Sequence, residues 1–191
     1  MEKSYWVDRY ENQDTAWDVG TITNPIKFYI DQLTDKSIKI LIPGAGNGHE
    51  AEYLVNHGFN NVFVLDIVQK PLDVLKKRMP KIPENHFICE DFFSHQSHYD
   101  LILEQTFFCA INPKDRKKYV QKMTQLLPQN GKIVGLLFCF AFDENSGPPF
   151  GGSIQEYEHL FSKDFRLTIN ECYNSIKPRD GKELFIKLIK K

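Results

Sequence analysis

Ile38-Lys39-Ile40-Leu41-Ile42-Pro43-Gly44-Ala45-Gly46-Asn47-Gly48-His49 decides how this chain folds. Ile38 to Ile42 is a short apolar run stopped by Pro43-Gly44, which predicts a buried strand. A helix is expected from about His49 to His57, closed by Gly58. Between strand and helix, glycines at alternate positions let the backbone turn tightly and come close to a ligand. The helix N-terminus beyond them offers unpaired N–H groups. An ordinary glycine-rich turn satisfies the same pattern, so spacing has to choose. A dinucleotide site calls for G-x-G-x-x-G. Counted from Gly44 the sixth residue is His49; counted from Gly46 it is Ala51, with a glycine at the third place. Neither fits well. G-x-G-x-G is the spacing associated with S-adenosylmethionine, which has no pyrophosphate to cradle.

Outward from this stretch, strands and helices alternate. Asn24-Pro25 opens a helix with Ile26, Ile30 and Leu33 on one face. Val62 to Leu65 is a second strand and Pro71 to Arg78 a helix; His86 to Cys89 and Asp100 to Leu103 are further strands. Asn112 caps a helix running to about Leu127, with Pro113 in its first turn. Ile133 to Phe140 is a fifth strand. Ser153-Ile154-Gln155-Glu156 is a capping box that starts another helix. Phe165 to Tyr173 and Glu183 to Ile189 read as two strands joined across Pro178-Arg179-Asp180-Gly181, close enough for an antiparallel pair. The expected fold is therefore α/β and Rossmann-like, with a mostly parallel sheet and a C-terminal antiparallel strand pair. The stretch up to Gly20 mixes aromatic and charged residues without clear periodicity.

The 191 residues suit a single domain, 1–191, with an ordinary soluble balance of 41% hydrophobic and 26% charged residues. A net charge of -1 argues against a nucleic-acid or membrane partner. No apolar run reaches membrane-spanning length, and the N-terminus has no apolar signal core, so a cytoplasmic protein is expected. Cys89, Cys139, Cys109 and Cys172 are widely spaced in or beside apolar stretches and read as buried, reduced thiols. His95 and His98 lie in a polar stretch that reads as a surface loop, and no metal site is expected.

Candidate site residues lie at strand ends, where open α/β folds bind their ligands. Asp66 ends the second strand, 20 residues after Gly46, and can accept from both hydroxyls of a ribose. Asp91 and Phe92 follow the third strand, placed to meet an adenine amino group and ring or to serve as local turn chemistry. Phe107 and Phe108 leave the fourth strand and must point different ways.

These pieces together resemble the thiopurine S-methyltransferase superfamily, and most of all its halide/thiol (thiocyanate) methyltransferase branch. The matching pieces are Trp6-Val7-Asp8-Arg9-Tyr10, Thr15-Ala16-Trp17-Asp18, Ile42 to His49, Leu65-Asp66-Ile67, Glu90-Asp91-Phe92-Phe93, Thr106 to Ile111, Gly147-Pro148-Pro149-Phe150 and Arg179 to Glu183. They run in family order over nearly the whole chain. The resemblance implies the class I methyltransferase form of the fold, S-adenosylmethionine as cofactor, and an N-terminal segment, residues 1–20, that folds over it. It implies enclosure of the cofactor by Trp6, Tyr10 and Trp17, and contacts from Gly44, Asp66, Asp91, Phe92 and Gln105 beside the Gly46 turn. Many class I methyltransferases carry an acid at the end of the first strand; Ile42 stands there instead, as the halide/thiol branch would have it. Phe138 stands where plant halide/thiol enzymes place a tyrosine against the acceptor.

The acceptor pocket is expected to draw on Phe107, Phe138, Pro148, Pro149 and Phe150, with Phe142 to Gly152 as its cap. Arg179 either orients an anionic acceptor or is a solvated turn residue. A thiolate or halide brings its own lone pair, so such a site needs alignment and desolvation rather than a strong base. The expected function is methyl transfer to a small soft nucleophile by a monomer. The alternatives are an NAD-dependent oxidoreductase, disfavoured by the glycine spacing, and a non-catalytic S-adenosylmethionine-binding protein.

Overall fold

The computed structural model describes residues 2–141 and 147–191. By its internal contacts the chain forms two compact units, Met1–His95 and Gln96–Lys191.

The first unit contains α1 (Lys3–Glu11), α2 (Asn24–Asp31), β1 (Ile40–Pro43), α3 (His49–Asn56), β2 (Val62–Asp66), α4 (Gln69–Arg78) and β3 (Phe87–Cys89). β2 pairs in parallel with β1 and with β3, Ile42 opposite Val64 and Val64 opposite Phe87, so the order is β3-β2-β1. Parallel neighbours require crossovers, and α3 and α4 supply them. Ile40, Leu41, Ile42, Val64 and Leu65 are buried, with Ala51 and Leu54 of α3 and Leu72 and Leu75 of α4. Gly48 caps α3 in the left-handed conformation, φ 63°. A Cβ there would lie 2.3 Å from Leu75 Cδ2, so any larger residue would displace that side chain as well as strain the left-handed backbone.

The second unit contains β4 (Leu101–Gln105), α5 (Arg116–Leu126), β5 (Lys132–Phe138), α6 (Ile154–Phe161), β6 (Phe165–Glu171) and β7 (Glu183–Lys190). β4 and β5 are parallel, and β7 runs antiparallel to both β5 and β6, giving β4-β5-β7-β6. The seven strands are the mostly parallel α/β arrangement read from the sequence, with the antiparallel pair at the C-terminal end. Phe108, Tyr119, Tyr157, Phe161 and Phe165 form a buried aromatic core; Phe108 meets Tyr119 edge-on at 4.9 Å and Tyr157 at 5.7 Å. The capping box forms: Ser153 Oγ accepts from the Glu156 amide, and the Glu156 carboxylate accepts from the Ser153 amide at 2.8 Å.

Four readings change. The N-terminal stretch contains a helix, α1, and no residue on it is buried, which is why it shows no apolar stripe. Asn112 caps a 3-10 turn, Pro113–Asp115, before α5 begins at Arg116. His95 is buried rather than looped into solvent, its Nδ1 in close contact with Glu90 Oε1. All four cysteines are free, but only Cys109 and Cys172 are buried; Cys89 and Cys139 are half-buried. No helix among the described residues is long and apolar enough to cross a membrane.

Candidate active site

In the first unit the glycine turn leaves β1 and closes onto the end of β2. The Ala45 amide donates to the Leu65 carbonyl at 3.0 Å, and the Gly46 amide donates to Asp66 Oδ2 at 2.9 Å. Asp66 Oδ1 accepts from the Val68 amide, also at 2.9 Å. Burial pushes the Asp66 carboxyl up, and the amides of Val68, Gly46 and Ile67 pull it part of the way back. Each carboxylate oxygen can accept more than one donor, so these bonds leave acceptor capacity for ligand hydroxyls. Glu90, which opens the run after β3, donates its amide to the Asp66 carbonyl at 3.2 Å. The third strand end is thereby tied to the second. Asp91 is exposed, and its Oδ1 accepts from the Phe93 amide at 2.8 Å, while Phe92 is buried with its ring edge-on to Phe93.

The N-terminal segment lies over the glycine turn. A Cβ on Gly46 would sit 3.2 Å from the Tyr10 hydroxyl and 3.8 Å from Trp17 Nε1. Trp17 is edge-on to both Trp6, at 5.6 Å, and Tyr10, at 5.7 Å. Burial holds the Tyr10 phenol far up and neutral, and the carboxylates of Asp66 and Asp18 add to this. The Arg9 guanidinium stands 5.4 Å from the Trp17 ring centre. Sequence reasoning assigned no role to Asp18, yet it is the fastening. It accepts from the Asn47 side chain, from the Gly20 amide at 2.8 Å, and lies 2.9 Å from His49 Nε2. Burial alone would raise its carboxyl; the bonds from Gly20, Asn47 and His49 outweigh burial and hold it below the ordinary range. Nothing in the local pattern at Asp18 announces a partner near residue 47, so no sequence signal was available. Trp6, Tyr10, Trp17, Gly46 and Asp66 are thus brought together, and Gly44 begins the same turn with φ 59°.

In the second unit β4 ends on Glu104 and the half-buried Gln105, and the chain then turns through Thr106 with φ 56°, a left-handed conformation that is uncommon for a β-branched residue. Phe107 is half-buried and Phe108 buried, and both rings stand near that of Tyr119, at 6.2 Å and 4.9 Å between centres. Phe138 ends β5, and its carbonyl accepts from the Tyr157 hydroxyl at 2.6 Å. Arg179 is buried, not a solvated turn residue; its guanidinium lies 5.7 Å from the Phe138 ring centre and 3.5 Å from Glu183 Oε1. Phe150 is buried, and its amide donates to the Cys109 carbonyl at 2.7 Å. Pro148 is half-buried and Pro149 exposed. Of the expected cap Phe142 to Gly152, residues 142–146 lie outside the described residues. Sequence reasoning passed over Glu104, although an acid at the end of Leu101-Ile102-Leu103 was a visible signal. Its carboxylate has no solvent exposure.

The cradle suits S-adenosylmethionine. A backbone turn in which a side chain at residue 46 would fill the space beneath Tyr10 joins a buried carboxylate at the next strand end and an aromatic enclosure. Solved methyltransferases share the fold. A 1,6-didemethyltoxoflavin N1-methyltransferase from Burkholderia thailandensis, solved with S-adenosylhomocysteine, superposes with a TM-score of 0.78 at 16% identity, covering 98% of this chain and 86% of that one. A TehB-like S-adenosylmethionine-dependent methyltransferase from Corynebacterium glutamicum gives 0.69 at 18% identity, covering 99% and 98%. The protein is an S-adenosylmethionine-dependent methyltransferase.

The thiopurine S-methyltransferase family model matches residues 1–186, and the chain belongs to that family. A probable thiol methyltransferase 2 from Arabidopsis thaliana is 31% identical over 186 residues, covering 93% of this chain and 81% of its own. A thiocyanate methyltransferase 1 from Brassica oleracea is 30% identical over 190 residues, covering 96% and 83%. A thiopurine S-methyltransferase from Nitrosospira multiformis is 25% identical over 190 residues, covering 87% and 85%.

Proposed function

We propose that this chain methylates a small soft nucleophile, a thiol, thiopurine, thiocyanate, hydrosulfide or halide, and that it does so as a cytoplasmic monomer whose 191 residues act as one methyltransferase domain. The observation that carries the acceptor class is the make-up of the second unit's candidate residues. Phe107, Phe138 and Phe150 are aromatic, and Arg179 is a buried cation set against one of those rings. The titratable groups around them offer no accessible base. Burial pushes Cys109, Tyr119 and Tyr157 upward and keeps them protonated, and Glu104, its carboxyl raised to about 7, has no exposed surface from which to take an acceptor's proton. A nucleophile that ionises by itself or carries a permanent lone pair suits such surroundings; an alcohol does not. The plant relatives named for thiol and thiocyanate methylation point the same way.

Bound S-adenosylmethionine supplies a methyl group on a sulfonium, open to in-line displacement. Asp66 would accept hydrogen bonds from the ribose, Asp91 and Phe92 would meet the adenine, and Gly44 and Gly46 would complete the first unit's contacts. Trp6, Tyr10 and Trp17 enclose the cofactor and exclude water. For Trp17 the contribution is enclosure more than charge, because Arg9 already stands at its ring and a second cation there is repelled. Arg179 attracts and orients an anionic acceptor. Its partner Glu183 is 3.5 Å away, longer than a strong charge-assisted bond, and burial pushes the Glu183 carboxyl up, which weakens the pair further. The test is transfer of radiolabelled methyl to iodide, thiocyanate, hydrosulfide, small thiols and thiopurines, alongside oxygen and nitrogen acceptors. A bulky oxygen or nitrogen acceptor that outpaces every sulfur and halide candidate would overturn the reading.

A further inference from the structure

Glu104 has no part in the chemistry just described, yet among the described residues it is the most completely enclosed carboxyl in the second unit, with no exposed surface. Such a group is destabilising unless its oxygens are satisfied. Three donors do this. Oε1 accepts from the amide of Phe107 at 2.9 Å and of Phe108 at 2.8 Å, and Oε2 accepts from the Tyr119 hydroxyl at 2.7 Å. The two amides belong to the turn that follows Thr106, the residue with φ 56°. Left-handed backbone at a β-branched residue persists only where its surroundings over-determine it. Here both flanks are fixed, by Glu104 in β4 and by its own two hydrogen bonds beyond.

The strand beside β4 is shaped for the same purpose. Gly135 of β5 stands opposite Glu104, and a Cβ on it would lie 1.9 Å from the Glu104 carbonyl oxygen and 2.6 Å from the Glu104 Cβ. The fixed turn then passes its position on. The Arg116 guanidinium lies 4.9 Å from the Phe108 ring centre and donates to the Gly151 carbonyl at 2.6 Å. The Cys109 carbonyl accepts from the Phe150 amide. From Glu104, one chain of bonds therefore reaches both Phe107 and Phe150.

We infer that Glu104 is the positioning residue for the acceptor wall: through the Phe107 and Phe108 amides it fixes the Thr106–Cys109 turn, and through Cys109 and Arg116 it fixes the segment carrying Phe150. Its bearing on turnover rests on the proposed acceptor role of Phe107 and Phe150. It touches no reacting atom. Its carboxyl, pushed up to about 7 chiefly by burial, agrees with a buried anchor rather than a solvent-facing base.

The experiment compares Glu104→Leu, Glu104→Gln and Tyr119→Phe in the full chain. Glutamine keeps one oxygen for the two amides and turns an N–H toward the Tyr119 oxygen; leucine keeps neither bond. Three readouts are taken: amide exchange of Phe107 and Phe108 by NMR, affinity for S-adenosylhomocysteine, and KM and kcat with hydrosulfide. For Glu104→Leu, both amides should exchange about ten-fold faster and the hydrosulfide KM rise about ten-fold, with cofactor-product affinity within about three-fold of wild type. Glu104→Gln should restore both properties to within about three-fold. If the leucine variant does not fold, Tyr119→Phe carries the test with a rise of about three-fold in each. Unchanged exchange and KM in a folded variant overturn the inference, as does a loss of S-adenosylhomocysteine affinity that keeps pace with the KM. A wild-type protein inactive on hydrosulfide and every other soft acceptor would sink the acceptor reading alone, because the exchange rates decide Glu104 without turnover.

Discussion

At the residue scale, two buried carboxylates in strand-end positions have opposite duties. Asp66 is held by amides from its own unit, Gly46 and Val68, and we expect its remaining acceptor capacity to serve the ribose. Asp66→Ala should weaken S-adenosylhomocysteine binding by roughly 1–3 kcal/mol, measured by calorimetric titration. The same change frees the Gly46 amide, so the thermal midpoint should fall as well. Unchanged affinity in a folded variant would remove Asp66 from the site. Glu104 makes its contribution through pH. Burial raises its carboxyl from 4.5 to about 7 in the folded chain. An acid with a raised folded value favours the native state while protonated. That stability is fully present below pH 4.5 and is lost as the pH climbs through about 7. The groups facing it, Tyr119 and Cys109, stay neutral throughout. Urea unfolding of wild type and Glu104→Gln across this window should show the wild type losing on the order of 2–3 kcal/mol relative to the variant. Parallel curves would show that Glu104 does not titrate there.

At the element scale, α1 buries no residue, whereas α2, α3 and α4 each bury three. Nine residues without tertiary support are too few to hold a helix in water. Its support is the ring cluster of Tyr5, Trp6, Tyr10 and Trp17, together with the Asp18 contacts to Asn47 and His49. Hydrogen exchange over residues 5–20 should therefore be fast in the free protein and slow when S-adenosylhomocysteine is bound. Asp18→Ala should abolish most of that slowing, since the segment would lose its polar fastening to the glycine turn. Equal exchange in free and bound protein would mean that the segment does not cover the cofactor.

On the scale of the whole molecule, binding must appear as stability. A ligand at about one hundred times its Kd adds about 2.7 kcal/mol. For a chain of 191 residues this raises the thermal midpoint by roughly 5–10 °C. S-adenosylhomocysteine should produce that shift and NADH none; the reverse result would restore the oxidoreductase alternative. Turnover adds a second whole-protein test. Without a protein base, the acceptor must supply its own anion. Rates with small thiols should rise with pH along the thiol ionisation, while rates with iodide or thiocyanate stay comparatively flat. A pH rise shared by all acceptors would point to a titrating group on the protein.

The sequence by itself determined the order of strands and helices, the glycine turn after β1 and the antiparallel C-terminal pair, because each follows from local periodicity and turn chemistry. It determined the family too, since motifs in fixed order survive where single residues do not. Boundaries drifted by a residue or two, as at β1 and α4, where the ladder and the helix turns decide the ends. Only the tertiary structure gave α1 its helix, since Trp6 and Tyr10 find their partners in Trp17 and at Gly46, outside the helix. Only the tertiary structure buried Arg179 and His95, turned Asp18 into a fastening and set Glu104 beneath the Phe107–Phe108 amides. Asp18 meets partners some thirty residues along the chain and Glu104 bonds around a left-handed turn, neither of which is written in the residues beside them. His95 and Arg179 have acids close by in sequence, Glu90 and Glu183, but whether such a local pair is solvated or buried depends on what the rest of the fold packs over it.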